Sequence, residues 1–216
     1  MHKPVIPAAE AAALVKDGAT VMIGGFMVAG TPHTLIDALV ESGARDLTII
    51  VNDTGFPGQG IGKLIASGQV RKVIASHIGT NKDTGNLMNS GDMEVQLVPQ
   101  GTLVEQIRAG GAGLGGFLTP TGVGTVIEQG KAKIPINGSD YLLELPLRAD
   151  VALINGATVD RSGNIVYHGT ARNFNPVMAT AADLVIVEAE RLVEVGEINP
   201  DHVTTPRIFV DYIVQR

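Results

Sequence analysis

Short apolar runs alternate with helical patterns along this chain, which predicts an α/β fold with a mostly parallel sheet flanked by helices. The predicted strands cover residues 20–23, 47–51, 70–78, 94–98, 150–154, 165–167, 184–188 and 208–214. The predicted helices cover residues 7–16, 61–67, 102–108 and 173–182, with one more after Thr31. Residues 131–145 are a predicted hairpin insertion, because Asn137-Gly138 supplies the positive φ angles of a tight turn.

Residues at the ends of these elements give two further predictions. Thr31 is expected to cap the helix that follows it, with Pro32 at the first helical position. Gly110-Gly111 is expected to end the helix at residues 102–108.

The sequence shows no linker and no internal repeat, so we expect a single domain over residues 1–216.

Composition and charge narrow the class of protein. The chain has 16 basic and 22 acidic residues, a net charge of -6 and only 4% aromatic residues, which argues against a nucleic-acid partner. The 27 glycines are expected in turns and where the backbone approaches something closely. Because the chain has no cysteine, it fits a reducing compartment, and we expect a cytoplasmic location. The uncharged stretch at residues 109–127 is too rich in glycine for a membrane span.

Several well-known catalytic motifs are missing from the sequence. The five histidines are scattered singly, so we predict no metal site. No serine lies in a Gly-x-Ser-x-Gly elbow, and Gly62-Lys63 lacks the Ser or Thr that completes a phosphate loop. Gly111, Gly113 and Gly116 match a dinucleotide motif, but they follow a predicted helix instead of a strand, and we discount the match.

The segment at residues 17–32 carries the strongest functional pattern. It consists of a short apolar strand, the pair Gly24-Gly25, a short loop and a helix start. Parallel sheets bind ligands at the carboxyl ends of their strands, and free amides at the next helix N-terminus favour an anion. Taken alone, the residues support a ligand loop and a simple tight turn about equally.

The segment resembles the first sequence signature of the family I coenzyme A transferases. The matching residues are Asp17, Gly18, Val21, Met22, Ile23, Gly24, Gly25, Phe26, Gly30 and Pro32. Residues 51–55, 99–113, 119–125 and 171–175 are similar to later parts of the same family. The length and order of these motifs resemble the alpha chain of the acetate/acetoacetate-type enzymes.

The resemblance implies an activity that this chain does not complete alone. In the family, CoA moves from an acyl-CoA to a free carboxylate through a glutamate, which lies in a Ser-Glu-Asn-Gly motif of the beta subunit. No serine stands directly before a glutamate in this chain, so the motif is absent and we expect no catalytic residue here. The resemblance therefore implies a partner beta subunit, in an α2β2 heterotetramer. CoA is then expected as part of the acyl-CoA substrate, with no tightly bound cofactor.

The same resemblance indicates which residues form the site. The residues expected to contact CoA are Gly24, Gly25, Phe26, Met27, Val28, Ala29 and Gly30. Asn52 and Gln100 are expected to line the acyl pocket, although capping or turn roles are equally open. Phe26 either walls the site or packs under the sheet, and residues 171–175 are left outside the site as a helix start.

Two alternatives to a short-chain enzyme stay open. One is a chain of a 3-oxoadipate or succinyl-CoA:3-oxoacid transferase, whose dicarboxylate substrates need a cationic group in the pocket. Asn52 and Gln100 are neutral, which favours monocarboxylates such as acetate, butyrate and acetoacetate. The second alternative is a nucleotide or sugar-phosphate binding module, since the related fold superfamily includes such proteins.

Overall fold

The computed structural model describes residues 2–216, and a parallel sheet runs through the middle of this part of the chain. Within that range the strands are β1 (Thr20–Ile23), β2 (Leu47–Asp53), β3 (Val70–His77), β4 (Glu94–Leu97), β5 (Phe117–Thr119), β6 (Lys133–Ile136), β7 (Ser139–Glu144), β8 (Ala149–Asp160), β9 (Ile165–Val166), β10 (Ala182–Val193) and β11 (Tyr212–Gln215). The α-helices are α1 (Ala8–Ala12), α2 (His33–Ser42), α3 (Ile61–Ala66), α4 (Lys82–Ser90), α5 (Gln100–Gly111) and α6 (Asn175–Met178).

The strand order creates a switch point beside β1. The main sheet runs β11-β10-β8-β1-β2-β3-β4 with parallel neighbours throughout, and β9 pairs antiparallel with β8. The chain builds outward from β1 through β2, β3 and β4, and then returns to add β8 on the other side of β1. Such reversals open a crevice at the carboxyl ends of the strands, where α/β proteins bind ligands.

Both faces of the sheet are buried, which explains the continuous apolar runs in the sequence. In β1, Val21 and Ile23 point into a core with α1, α2 and α3, while Met22 points into the opposite core with α5 and α6. This alternation follows from the two-residue period of a strand. The predicted fold class, a mostly parallel sheet flanked by helices, is therefore confirmed.

The predicted hairpin is also present. β6 and β7 pair antiparallel around Asn137 and Gly138, which have φ angles of 50° and 81°. β5 adds to the other edge of β7, so that the insertion is a small three-stranded sheet. Across residues 2–216, no helix has the length and apolar character needed to cross a membrane.

Three helices differ from what the sequence predicts. α4 was not predicted, because it is polar and buries only Thr84, and its start is fixed by the Asn81 side chain accepting from Asp83 N–H at 3.1 Å. α5 begins earlier than expected, at Gln100, and Gly110-Gly111 are its last two residues. The helix expected at residues 173–182 is limited to the single turn of α6.

The prediction that Thr31 caps α2 is wrong. Pro32 occupies the N-cap position, and the buried Thr31 Oγ1 has no hydrogen-bond partner within the described part of the chain. The carboxylate of Glu188 on β10 instead accepts from Leu35 N–H at 3.0 Å and from the Thr34 hydroxyl at 3.1 Å. The Leu35 amide at this helix start is therefore engaged by the protein itself and is not free for an anionic ligand.

Candidate functional site

The loop between β1 and α2 forms a tight turn at the carboxyl edge of the sheet. Phe26 and Ala29 exchange two backbone hydrogen bonds of 3.0 Å, which leaves Met27 and Val28 at the tip. Met27 has a φ of 57°, a left-handed conformation that is uncommon for residues other than glycine. The turn directs the Phe26 ring outward, and this residue is 42% exposed.

A second loop of the same form follows β2. Phe56 and Gln59 pair across a two-residue turn, as Phe26 and Ala29 do in the first loop. Both phenylalanines follow a glycine with positive φ, and both loops end in another such glycine before a helix. The chain therefore contains two loops of the form Gly-Phe-x-x-x-Gly, at residues 25–30 and 55–60.

The glycines of the first loop make room for the segment at residues 171–175. A Cβ at Gly24 would lie 1.7 Å from Asn175 Oδ1, and a Cβ at Gly30 would lie 2.3 Å from the Ala171 carbonyl oxygen. The close approach that these glycines permit is thus made by the chain's own backbone and side chains.

Two asparagines of that segment hold the first loop in place. Asn173 accepts from Gly25 N–H at 3.1 Å and donates to the Ala29 carbonyl at 3.0 Å. Asn175 donates to the Gly30 carbonyl at 2.9 Å. Residues 171–175, which the sequence analysis leaves out of the site, therefore build one of its walls.

A cavity of about 410 Å³ opens beside this loop. Its lining residues are Phe26, Asn52, Gln100, Val104, Thr170, Asn173 and Phe174. The structure thus brings together Phe26, Asn52 and Gln100 from the predicted site. The remaining predicted residues, Gly24, Gly25, Met27, Val28, Ala29 and Gly30, form the adjoining loop and do not line the cavity.

The polar centre of the cavity is a chain of side-chain amides. Gln100 Nε2, at the start of α5, donates to Asn52 Oδ1 at 2.7 Å, and the Ser76 hydroxyl lies 3.2 Å from the same oxygen. Asn52 Nδ2 donates to Asp53 Oδ2 at 2.7 Å. Asn52 is buried and both atoms of its amide group take part in hydrogen bonds, whereas Gln100 is exposed and can reach a ligand.

A neighbouring cavity of about 390 Å³ carries positive charge. It shares Val104 and Asn173 with the first cavity and is also lined by Arg108 and Arg172. Arg108 pairs with Glu105 at 3.1 Å, while the exposed Arg172 has no hydrogen bond or ion pair among residues 2–216. The sequence analysis placed neither cation in the site, although both lie in segments that resemble the family, residues 99–113 and 171–175.

Comparison with known proteins agrees with this arrangement. The model of the family "Coenzyme A transferase" matches residues 5–216, and the chain belongs to that family. It is 60% identical to the alpha subunit of the acetate CoA-transferase of Escherichia coli K12, with 95% of this chain and 93% of that protein covered. It is 56% identical to the acetoacetyl-CoA:acetate/butyrate CoA transferase alpha subunit of Clostridium acetobutylicum, with 100% and 99% covered.

More distant relatives share the family and the fold. One subunit of the 3-oxoadipate CoA-transferase of Pseudomonas putida is 46% identical, with 93% of this chain and 87% of that protein covered. A crystal structure of an acyl-CoA transferase from E. coli O157:H7, as a thioester complex with CoA, has a TM-score of 0.90 and 24% identity. It matches all of this chain, which spans 47% of the solved chain.

Proposed function

We propose that this chain is the alpha subunit of a short-chain acyl-CoA:carboxylate CoA-transferase, which exchanges CoA between acetyl-CoA and acetoacetate or butyrate. The observation that carries the proposal is the cavity in which Phe26, Asn52 and Gln100 meet at the carboxyl ends of β1 and β2. Its lining residues are all neutral, which suits a monocarboxylate. The high identity to two alpha subunits that are named for acetate and butyrate supports this substrate class.

The attacking glutamate comes from a beta subunit in this proposal. None of the seven residues that line the cavity is an aspartate or glutamate. The nearest buried carboxylate along the polar chain, Asp53, has both oxygens engaged by hydrogen bonds. No carboxylate nucleophile lines this wall, and in this proposal an α2β2 heterotetramer, to which the beta subunit brings its glutamate, completes the site.

The reaction then proceeds in balanced steps. The glutamate carboxylate attacks the thioester carbonyl carbon, the C–S bond breaks and CoA leaves as a thiolate. The thiolate attacks the glutamyl carbonyl of the resulting anhydride and releases the first carboxylic acid as its carboxylate. The acceptor carboxylate then attacks the carbonyl carbon of the glutamyl thioester and CoA leaves as a thiolate. The thiolate attacks the acyl carbonyl of the new anhydride, which gives the new acyl-CoA and frees the glutamate. Gln100 offers an N–H to the oxygen on which charge develops, which lowers the barrier more than it stabilises the bound substrate.

The loop of residues 24–30 contributes binding energy in the proposed complex. The non-reacting arm of CoA lies against this loop, where Phe26 presents an exposed ring. Energy gained there holds the thioester near the glutamate and offsets the loss of freedom in reaching the reactive geometry. In this proposal CoA acts as a substrate and no other cofactor takes part. The absence of cysteine fits the cytoplasmic location that we propose for the enzyme.

A second substrate class has one structural observation in its favour. Arg172 lies in the cavity that adjoins the acyl pocket, and its charge is unpaired within residues 2–216. A second carboxylate, as in succinyl-CoA or 3-oxoadipate, would find a cationic partner there. We rank this class second because the acyl pocket itself is lined by neutral groups.

Co-expression of the chain with its beta partner tests both substrate classes. We expect acetate-dependent CoA transfer from acetoacetyl-CoA by the complex and none by either chain alone. Gln100→Ala should lower kcat/KM for acetate by about 10- to 100-fold, the usual loss of one hydrogen bond to a charged group. The exposed Gln129→Ala is the control. Faster transfer to succinate than to acetate, lost in Arg172→Ala, would favour the second class instead.

A further inference from the structure

A buried carboxylate lies between the two loops, next to the amide chain of the cavity. Asp53, the last residue of β2, is 2% exposed. Its Oδ2 accepts from Met27 N–H at 2.8 Å and from Asn52 Nδ2 at 2.7 Å, and its Oδ1 accepts from Gly55 N–H at 2.8 Å. One side chain therefore ties together the first loop, the second loop and the residue that holds Gln100.

The charge of Asp53 determines how the neighbouring amides are oriented. A carboxylate only accepts hydrogen bonds, so Asn52 must turn its Nδ2 toward Asp53. Asn52 Oδ1 then faces Gln100, which must turn its own Nε2 toward Asn52. Gln100 is left with its carbonyl oxygen and one N–H free of hydrogen bonds to residues 2–216. Asp53 thus fixes the orientation of the Gln100 amide, which faces the cavity, through the side chain of Asn52.

The same carboxylate holds the turn that carries Phe26. Met27 follows Phe26 and keeps its φ of 57° while its N–H is bound by Asp53. A left-handed conformation at a residue with a long side chain persists only where its surroundings stabilise it. Asp53 supplies that stabilisation from the neighbouring strand.

We propose that Asp53 is a positioning residue for CoA transfer, which fixes the amide of Gln100 and the turn of Phe26 as the substrate meets them. The proposal rests on the function proposed above. Replacement by asparagine would place an N–H donor against the N–H of Met27 or of Gly55. It would also remove the charge that orients Asn52, and Gln100 would then present a mixture of amide orientations.

A double-mutant cycle in the co-expressed complex tests this role. Asp53→Asn should lower kcat/KM for acetate by about 10- to 100-fold, and by a smaller factor in the Gln100→Ala background, where only the turn of Phe26 is left to be disturbed. Asp150→Asn is the matched control, because Asp150 accepts from Thr20 N–H at 2.7 Å at the opposite end of β1. That variant should retain activity within about twofold. Equal losses from Asp53→Asn in both backgrounds overturn the proposal.

A second cycle covers the case in which Asp53→Asn does not assemble. Asn52→Ala cuts the link to Gln100 and leaves the bonds from Asp53 to both loops in place. Its loss of about tenfold should disappear in the Gln100→Ala background, and additive losses overturn the proposal. An active wild-type complex with additive variants contradicts only the role of Asp53. An inactive wild-type complex overturns the proposed function and this proposal with it.

Discussion

The glycines of the first loop accommodate specific atoms of the same chain. At Gly25 the backbone has a φ of 136°, and an added Cβ would lie 2.3 Å from Thr31 Oγ1. That hydroxyl is buried and lacks a hydrogen-bond partner among residues 2–216. A side chain at Gly25 would therefore meet both backbone strain and a neighbour that is packed in place.

We predict that Gly25→Ala destabilises the protein more than strain alone explains. The matched control is Gly43→Ala, where φ is 72° and a Cβ would have no atom within 4 Å. The control should cost about 1 kcal/mol from the left-handed conformation, and Gly25→Ala about 2–4 kcal/mol because overpacking is added. Urea unfolding of the two variants measures the difference. Equal losses would show that Thr31 moves aside freely.

Part of the site can be read from single residues, and part depends on strand order. Asn52 and Gln100 lie at predicted strand ends and were assigned to the acyl pocket from the family resemblance, and the structure places their side chains 2.7 Å apart. Asp53 and Asn173 were missed because their partners in the first loop are far away in sequence. No local pattern shows that Asn173 returns to Gly25 and Ala29, since that contact requires β8 to lie beside β1.

At the scale of elements, strands were predicted better than helices. The central strands of the main sheet are buried on both faces, so each appears as an apolar run in the sequence, whereas the edge strand β4 is mostly exposed. α4 is polar and gives no such pattern. In α5 the glycine pair forms the last two helical residues, and a Cβ at Gly110 would lie 2.0 Å from the Leu147 carbonyl oxygen. Glycine is needed there because the connection from β7 to β8 packs against the helix, and this contact cannot be seen in the local sequence.

The start of α2 gives a pH-dependent prediction. Burial raises the pKa of the Glu188 carboxyl above its ordinary value of 4.5, and hydrogen bonds from Leu35 N–H and Thr34 offset only part of the rise. An acid with a raised pKa in the folded state stabilises the fold fully below its unfolded pKa, and this contribution is lost as the pH rises through the folded pKa.

We predict that Glu188→Gln removes this dependence. The free energy of unfolding of the wild type, relative to that of the variant, should fall as the pH rises from about 4 to about 7. Glu190→Gln, on the exposed side of the same strand, controls for the loss of one negative charge. Urea unfolding across the pH range measures the trend. A difference that stays constant or grows with pH would contradict the account.

At the scale of the whole molecule, we propose that the site is one wall of a larger one, which the beta subunit completes. The cavity beside the first loop has hydrogen-bonding amides and an aromatic ring, but none of its lining residues is acidic. The E. coli O157:H7 acyl-CoA transferase that shares this fold is about twice as long, since the present chain spans 47% of it. A protein that supplies half of a transferase site should orient the thioester and leave the covalent step to its partner.

The most direct test of the account is to locate the covalent intermediate. The co-expressed complex is incubated with acetoacetyl-CoA without an acceptor acid, and the intact mass of each chain is then measured. We predict a CoA adduct on a glutamate of the beta chain and an unmodified mass for the present chain, both alone and in the complex. A CoA or acyl adduct on any side chain of this protein, with transfer activity in its isolated form, would contradict the account.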